Sequence, residues 1–144
     1  MKKAFTIGAL LALLCLLAVP ALAEGGELDD FVKSVSVRAE ADSDGFRTDL
    51  AARFRVPGTD VDVVLRAVNS PGDAYMCFRL AQVAHLSTEA VLREYRANRG
   101  KGWGVIAKNL GIKPGSREFH ELKSGYRGPD VKGQGKGKSK GKKG

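Results

Sequence analysis

Cys77, His85 and His120 are the side chains best suited to hold a metal or attack a substrate, and they have little company. The whole chain carries two cysteines and two histidines. Zinc sites that show themselves in sequence have closely spaced ligand pairs. Here Cys77, His85 and His120 are widely separated, so a shared site would exist only if folding brought the three together. His120 stands between Glu118 and Glu121. Cys77 lies in the apolar run Tyr75-Met76-Cys77-Phe78, where a thiol usually behaves as a small hydrophobe. The sixteen acids single out no acid/base pair, and no Ser/His/Asp constellation stands out. No catalytic, metal-ligating or cofactor-binding residue is assigned, no cofactor is expected, and the reading is non-enzymatic.

Two short runs carry other chemistry. Glu40 to Phe46 reads EADSDGF, with oxygen ligands two apart before a glycine, as a calcium loop begins. Arg47 then occupies the aliphatic position and Ala51 the place of the bidentate glutamate. The run reads better as the acidic start of a helix, favoured by the helix dipole. The second run is Arg99-Gly100-Lys101-Gly102-Trp103-Gly104. Backbone N–H groups at a glycine-rich helix start can hold an anion, with Arg99 and Lys101 assisting. No strand precedes it and no Lys-Ser or Lys-Thr pair closes it, so it is not a nucleotide loop. The plainer reading is a turn between helices in which Trp103 plugs the core. Val91 to Leu110 has the outline of a helix-turn-helix, an outline any antiparallel helix pair shares, and sequence-specific DNA binding is not expected.

Charge is the strongest compositional signal. The chain of 144 residues has a formal charge of +8, unevenly placed. From Glu24 to Asp73 eleven acids outnumber six bases; from Ala74 to Gly144 sixteen bases outnumber five acids. The end, Lys132 to Gly144, reads KGQGKGKSKGKKG, with no acid and no apolar side chain. Such a segment buries nothing to offset its ordering entropy, so 124–144 is expected to be a disordered tail. The asymmetry suggests contact with an anionic polymer or envelope surface. The residues assigned to that attraction are Arg93, Arg96, Arg99 and Lys101, together with Lys132, Lys136, Lys138, Lys140, Lys142 and Lys143. Arg93 and Arg96 share a helix face by their spacing. The tail has no aromatic residue for base stacking. The competing reading makes the tail merely solubilising and the helical part a protein-interaction or chaperone-like module.

The elements that must position these groups begin after the first residues. Lys2 and Lys3 lead an uncharged Leu/Ala-rich run ending in Ala21-Leu22-Ala23, the pattern of a secretory signal peptide. Cleavage is expected after Ala23, leaving a periplasmic or secreted protein with no transmembrane span. The alternative is an uncleaved inner-membrane anchor, for which the run is barely long enough. Cleavage removes Cys15, so the mature chain forms no internal disulfide and stands on packing alone.

From residue 24 to 123 the pattern is all-α, a compact bundle of several short helices. Leu28 to Ala41 is ambiguous and is read as helix because no second strand exists to pair with it. Phe46, Leu50 and Phe54 recur every four residues on one face. Thr59 or Asp60 caps a helix carrying Val61, Val64, Leu65 and Val68. Ser70-Pro71 opens the next, burying Met76 or Cys77, Leu80, Val83 and Ala84. Ser87 caps a helix with Val91, Leu92 and Tyr95 inward. Val105, Ile106 and Leu110 mark another, closed by Gly111 with Ile112 beyond. Phe119 and Leu122 mark the last.

The segment from Gly102 to Lys123, GWGVIAKNLGIKPGSREFHELK, resembles a family of small exported bacterial proteins that carries no assigned activity. Pro71 to Met76 and Tyr95 to Lys101 are similar to it too, and the Lys/Gly-rich end matches in kind. The resemblance covers about Phe31 to Lys123 loosely and Gly102 to Lys123 closely. It implies a bacterial cell-envelope setting and transfers no catalytic residue.

Overall fold

The computed structural model describes residues 21–126, with side chains from Gly26 onward. Residues 1–20 of the expected signal peptide and, beyond Tyr126, the expected tail lie outside the described residues. Seven helices and no strand are found among them. None of these helices is long and apolar enough to cross a membrane.

The ambiguous first segment is the long helix α1 (Ala21–Ala41). Leu28, Val32, Val35 and Ala39 are its buried positions, a three- and four-residue spacing that places them on one face. Val37, which strand alternation would have grouped with Val35, points outward and is 68% exposed. α2 (Ser43–Phe54) opens on Asp42, whose carboxylate accepts from the Gly45 N–H, and buries Phe46 and Leu50. The acidic run therefore serves the helix start. α3 (Gly58–Ala67) begins earlier than a Thr59 or Asp60 cap would allow: Pro57 stands at the cap position without a side-chain bond. Asp60 falls inside the first turn, where its charge favours the dipole.

α4 (Pro71–Ala84) is the hub. Ser70 caps it and Pro71 stands in its first turn, as expected. An amphipathic face was expected; instead Ala74, Tyr75, Met76, Cys77, Phe78, Leu80 and Ala81 are all buried. A helix buried nearly all round is one that others pack around. Phe31, Phe54 and Tyr126 meet the Tyr75 ring edge-on at 5.8, 5.7 and 4.9 Å, and Phe54 stacks on Phe78 at 5.4 Å. Gly72 lets α1 approach: a Cβ there would stand 2.6 Å from Ser36 Oγ and closer still to the Val32 carbonyl oxygen.

α5 (Thr88–Ala97) is capped by Ser87 and turns Val91, Leu92 and Tyr95 inward. α6 (Trp103–Asn109) buries Trp103, Ile106 and Ala107, whereas Val105, expected inside, is 40% exposed. It ends as expected: Gly111 is left-handed at φ 91°, its N–H reaches the Lys108 carbonyl, and the Ile112 N–H reaches that of Ala107. α7 (Arg117–Lys123) is capped by Ser116 and buries Phe119 and Leu122. The packed core continues past Lys123. Tyr126, expected in the disordered tail, is buried, and the Gly125 carbonyl accepts from Arg53 at 2.6 Å.

Candidate functional site

The most elaborate polar arrangement gathers around Trp103. A buried indole needs an acceptor for its N–H, and Asp73 in the first turn of α4 supplies it: Trp103 Nε1 donates to Asp73 Oδ1 at 2.8 Å. The other oxygen of the same carboxylate accepts from Ser70 Oγ at 2.9 Å and from the Tyr95 hydroxyl at 3.2 Å. The Tyr95 oxygen in turn accepts the Asn69 backbone N–H at 3.1 Å. Burial raises the Tyr95 phenol above its ordinary pKa, the Asn69 donor opposing and the Asp73 charge adding to the rise. Trp103 and Tyr95 stack with centroids 5.3 Å apart, and the Arg99 guanidinium lies 5.5 Å from the Tyr95 ring centroid.

The glycine turn does not offer its helix-start amide to an outside anion. The Trp103 N–H already donates to Asp29 Oδ1 of α1 at 3.0 Å. Gly102 makes this approach possible, since a Cβ there would stand 2.9 Å from Asp29 Oδ2. Trp103 is therefore the core plug that its setting between glycines suggested, held at both nitrogens by carboxylates. Between α1, the start of α4 and this turn lies an open cleft of about 450 Å³, bordered by Asp29, Lys33, Asp73, Tyr95, Arg99 and Trp103.

No protein-family model, curated protein or solved structure matches the chain.

The residues singled out for a metal go to different surroundings. Cys77 is wholly buried in α4, where burial and then the Asp73 charge push its thiol far above the ordinary value. His85 sits just past the end of α4 in a left-handed conformation, and His120 is exposed on α7. Among the described residues no group of three His, Cys, Asp or Glu could hold a metal ion.

The assigned cations fall on two elements. Arg93 and Arg96 are exposed on α5; Arg99 and Lys101 are exposed in the turn that follows. Lys108 and Lys113, also exposed, continue the series. Among the described residues none of these six forms an ion pair. Elsewhere the cations are more often engaged: Lys33 pairs with Asp30, Arg47 with Asp62, Arg53 with Asp49, Arg117 with Glu121 and Lys123 with Glu27. Lys132, Lys136, Lys138, Lys140, Lys142 and Lys143 lie outside the described residues. Sequence reasoning missed Asp29 and Asp73. The available signal was the lone tryptophan, whose burial demanded an acceptor that no neighbour in sequence supplied.

Proposed function

We propose that this protein is an exported, non-enzymatic module of the bacterial cell envelope that holds an anionic polymer or surface through α5, the turn after it and the lysine-rich end of the chain. The observation that supports this reading is the series of six exposed cations from Arg93 to Lys113, none ion-paired among the described residues. Glu94 is the one acid in that stretch, and it is bonded to the side-chain amides of Asn98 and Asn109. Cations already paired at home gain little from a polyanion; cations without a partner release its counterions and gain the full attraction. The lysines of the end segment add on the order of 1 kcal/mol each near an anionic surface, screened by salt.

The test is retention on an immobilised polyanion, with heparin as probe, at rising salt. The full chain should elute at markedly higher salt than a chain ending at Tyr126. Charge reversal of Arg93, Arg96 and Lys101 to Glu should lower elution further. Retention that ignores salt, or that survives both changes, would overturn the reading.

A second reading rests on a different surface. Val56, Val63, Val64, Phe78 and Leu92 line a groove of about 160 Å³ where α3, α4 and α5 meet, and Val63 is 54% exposed. Such a groove suits a protein partner's apolar side chain. Val63→Glu should abolish partner binding on this reading and leave polyanion retention unchanged.

A further inference from the structure

We infer that the cleft beside Trp103 is a binding site for a small zwitterion, a ligand carrying an ammonium and a carboxylate on one short carbon skeleton. Four charged side chains border this one space: Asp29 and Asp73, Lys33 and Arg99. Among the described residues neither acid pairs with either base. Lys33 turns to Asp30 at 3.5 Å, in an exposed pair, and Arg99 donates to the Ala67 carbonyl at 3.4 Å while lying over Tyr95. The two acids are held in place by neutral donors instead: Asp29 by the Trp103 amide, Asp73 by the Trp103 indole, Tyr95 and Ser70. Neutral donors fix a carboxylate without cancelling its charge. Both signs therefore border the same open cleft.

That arrangement selects its ligand. A simple anion reaching Arg99 and Lys33 meets the two carboxylates; a simple cation reaching the carboxylates meets the two bases. A ligand bearing both charges satisfies both sets at once. Asp29 Oδ2 makes no hydrogen bond among the described residues and is the natural acceptor for the ammonium, with Arg99 the fork for the carboxylate. The cleft volume of about 450 Å³ lies within the range of small-molecule sites. Val32 and Ile106 supply apolar wall for the connecting carbons. The site needs neither the lysine-rich end nor a polymer; Arg99 is the side chain it shares with the polyanion reading.

The chain has one tryptophan, and it is in the wall of the cleft, so its emission reports on occupancy. The full chain is titrated with glycine, β-alanine, 4-aminobutyrate and 6-aminohexanoate to about 20 mM, well above a millimolar site. Sodium acetate and methylammonium chloride at matched ionic strength serve as single-charge controls, and calorimetry checks each titration. At least one amino acid should give a saturable signal that neither control reproduces. Asp29→Asn, which keeps an acceptor for the Trp103 amide, and Arg99→Gln, at an exposed position, should each weaken it at least about tenfold. Circular dichroism verifies both folds, and Arg99→Gln alone decides the matter if Asp29→Asn does not fold. Absence of saturable binding by both methods overturns the inference. So does equal binding of either control, or undiminished binding by a folded variant.

Discussion

Trp103 Nε1 donates to Asp73 Oδ1 at 2.8 Å, joining the start of α6 to the first turn of α4 across thirty positions of sequence. Replacing Asp73 by Ala strands three donors at once: the indole, the Tyr95 hydroxyl and the Ser70 hydroxyl. Asp73→Ala should cost about 3 kcal/mol, and Asp73→Asn about half that, because the amide oxygen still serves part of the set. Urea unfolding followed by Trp103 emission measures both. Equal stability of Asp73→Ala and the parent would show that the carboxylate is a bystander.

Gly72 and Gly58 make a paired test of backbone approach. Gly72→Ala drives a methyl into the Val32 carbonyl and Ser36 Oγ; the hydroxyl can rotate aside, but the backbone carbonyl cannot retreat without parting α1 from α4. A loss of about 2–3 kcal/mol is expected. At Gly58 nothing lies within 4 Å of an added Cβ, and Gly58→Ala should add about 0.5 kcal/mol by restricting the unfolded chain. Thermal melting of the two variants side by side should move in opposite directions.

How far the fold could be read from sequence follows the range of the interactions. Caps are local, and Ser70, Ser87 and Gly111 were each placed correctly from their neighbours alone. Helix faces are nearly local, which is why Phe46, Leu50, Val91, Leu92 and Tyr95 were assigned inward. α4 defeated the reading because a face exists only when one side is left to water, and here nearly every side is covered. The start of α3 was misplaced because Pro57 takes the cap position with no side chain to bond. Tyr126 falls in the expected tail because its neighbours are polar, yet its ring finds Phe46 at 6.2 Å and Tyr75 at 4.9 Å. Of the cleft, Arg99 and Trp103 stood out by composition. Asp29 and Asp73 looked like ordinary helix-surface acids, since their partners lie 74 and 30 positions away.

Two helices end on non-glycine residues in the left-handed region, Arg55 and His85, both at φ 54°. A side chain there carries a strain that glycine escapes. Arg55→Gly and His85→Gly should each raise stability by about 0.5–1 kcal/mol, seen as a higher urea midpoint with an unchanged slope. A fall in stability would mean that the side chain contributes more than its backbone costs.

Alkaline pH should unfold the protein earlier than its size suggests. Burial raises the phenols of Tyr75, Tyr95 and Tyr126 and, further, the thiol of Cys77. In the unfolded chain these groups lose their protons from about pH 9–10 upward, while the folded chain retains them. The unfolded state then binds fewer protons, so stability falls with rising pH. It is complete below about pH 8.5 and declines steadily above, and Cys77→Ala should shift the onset upward. Urea midpoints from pH 7 to 11.5 trace the decline; a flat profile to pH 11 would contradict it.

The bond from the Trp103 amide to Asp29, and the ion pair from Lys123 to Glu27, clasp the first helix to the last ones across 74 and 96 positions. Synthesis runs from the N-terminus at about 5–20 residues per second, so Asp29 of α1 waits about six seconds at mid-range for Trp103 to be made. During that interval Leu28, Val32 and Val35 have only part of their eventual cover. The last quarter of the chain therefore completes the cover of the first helix.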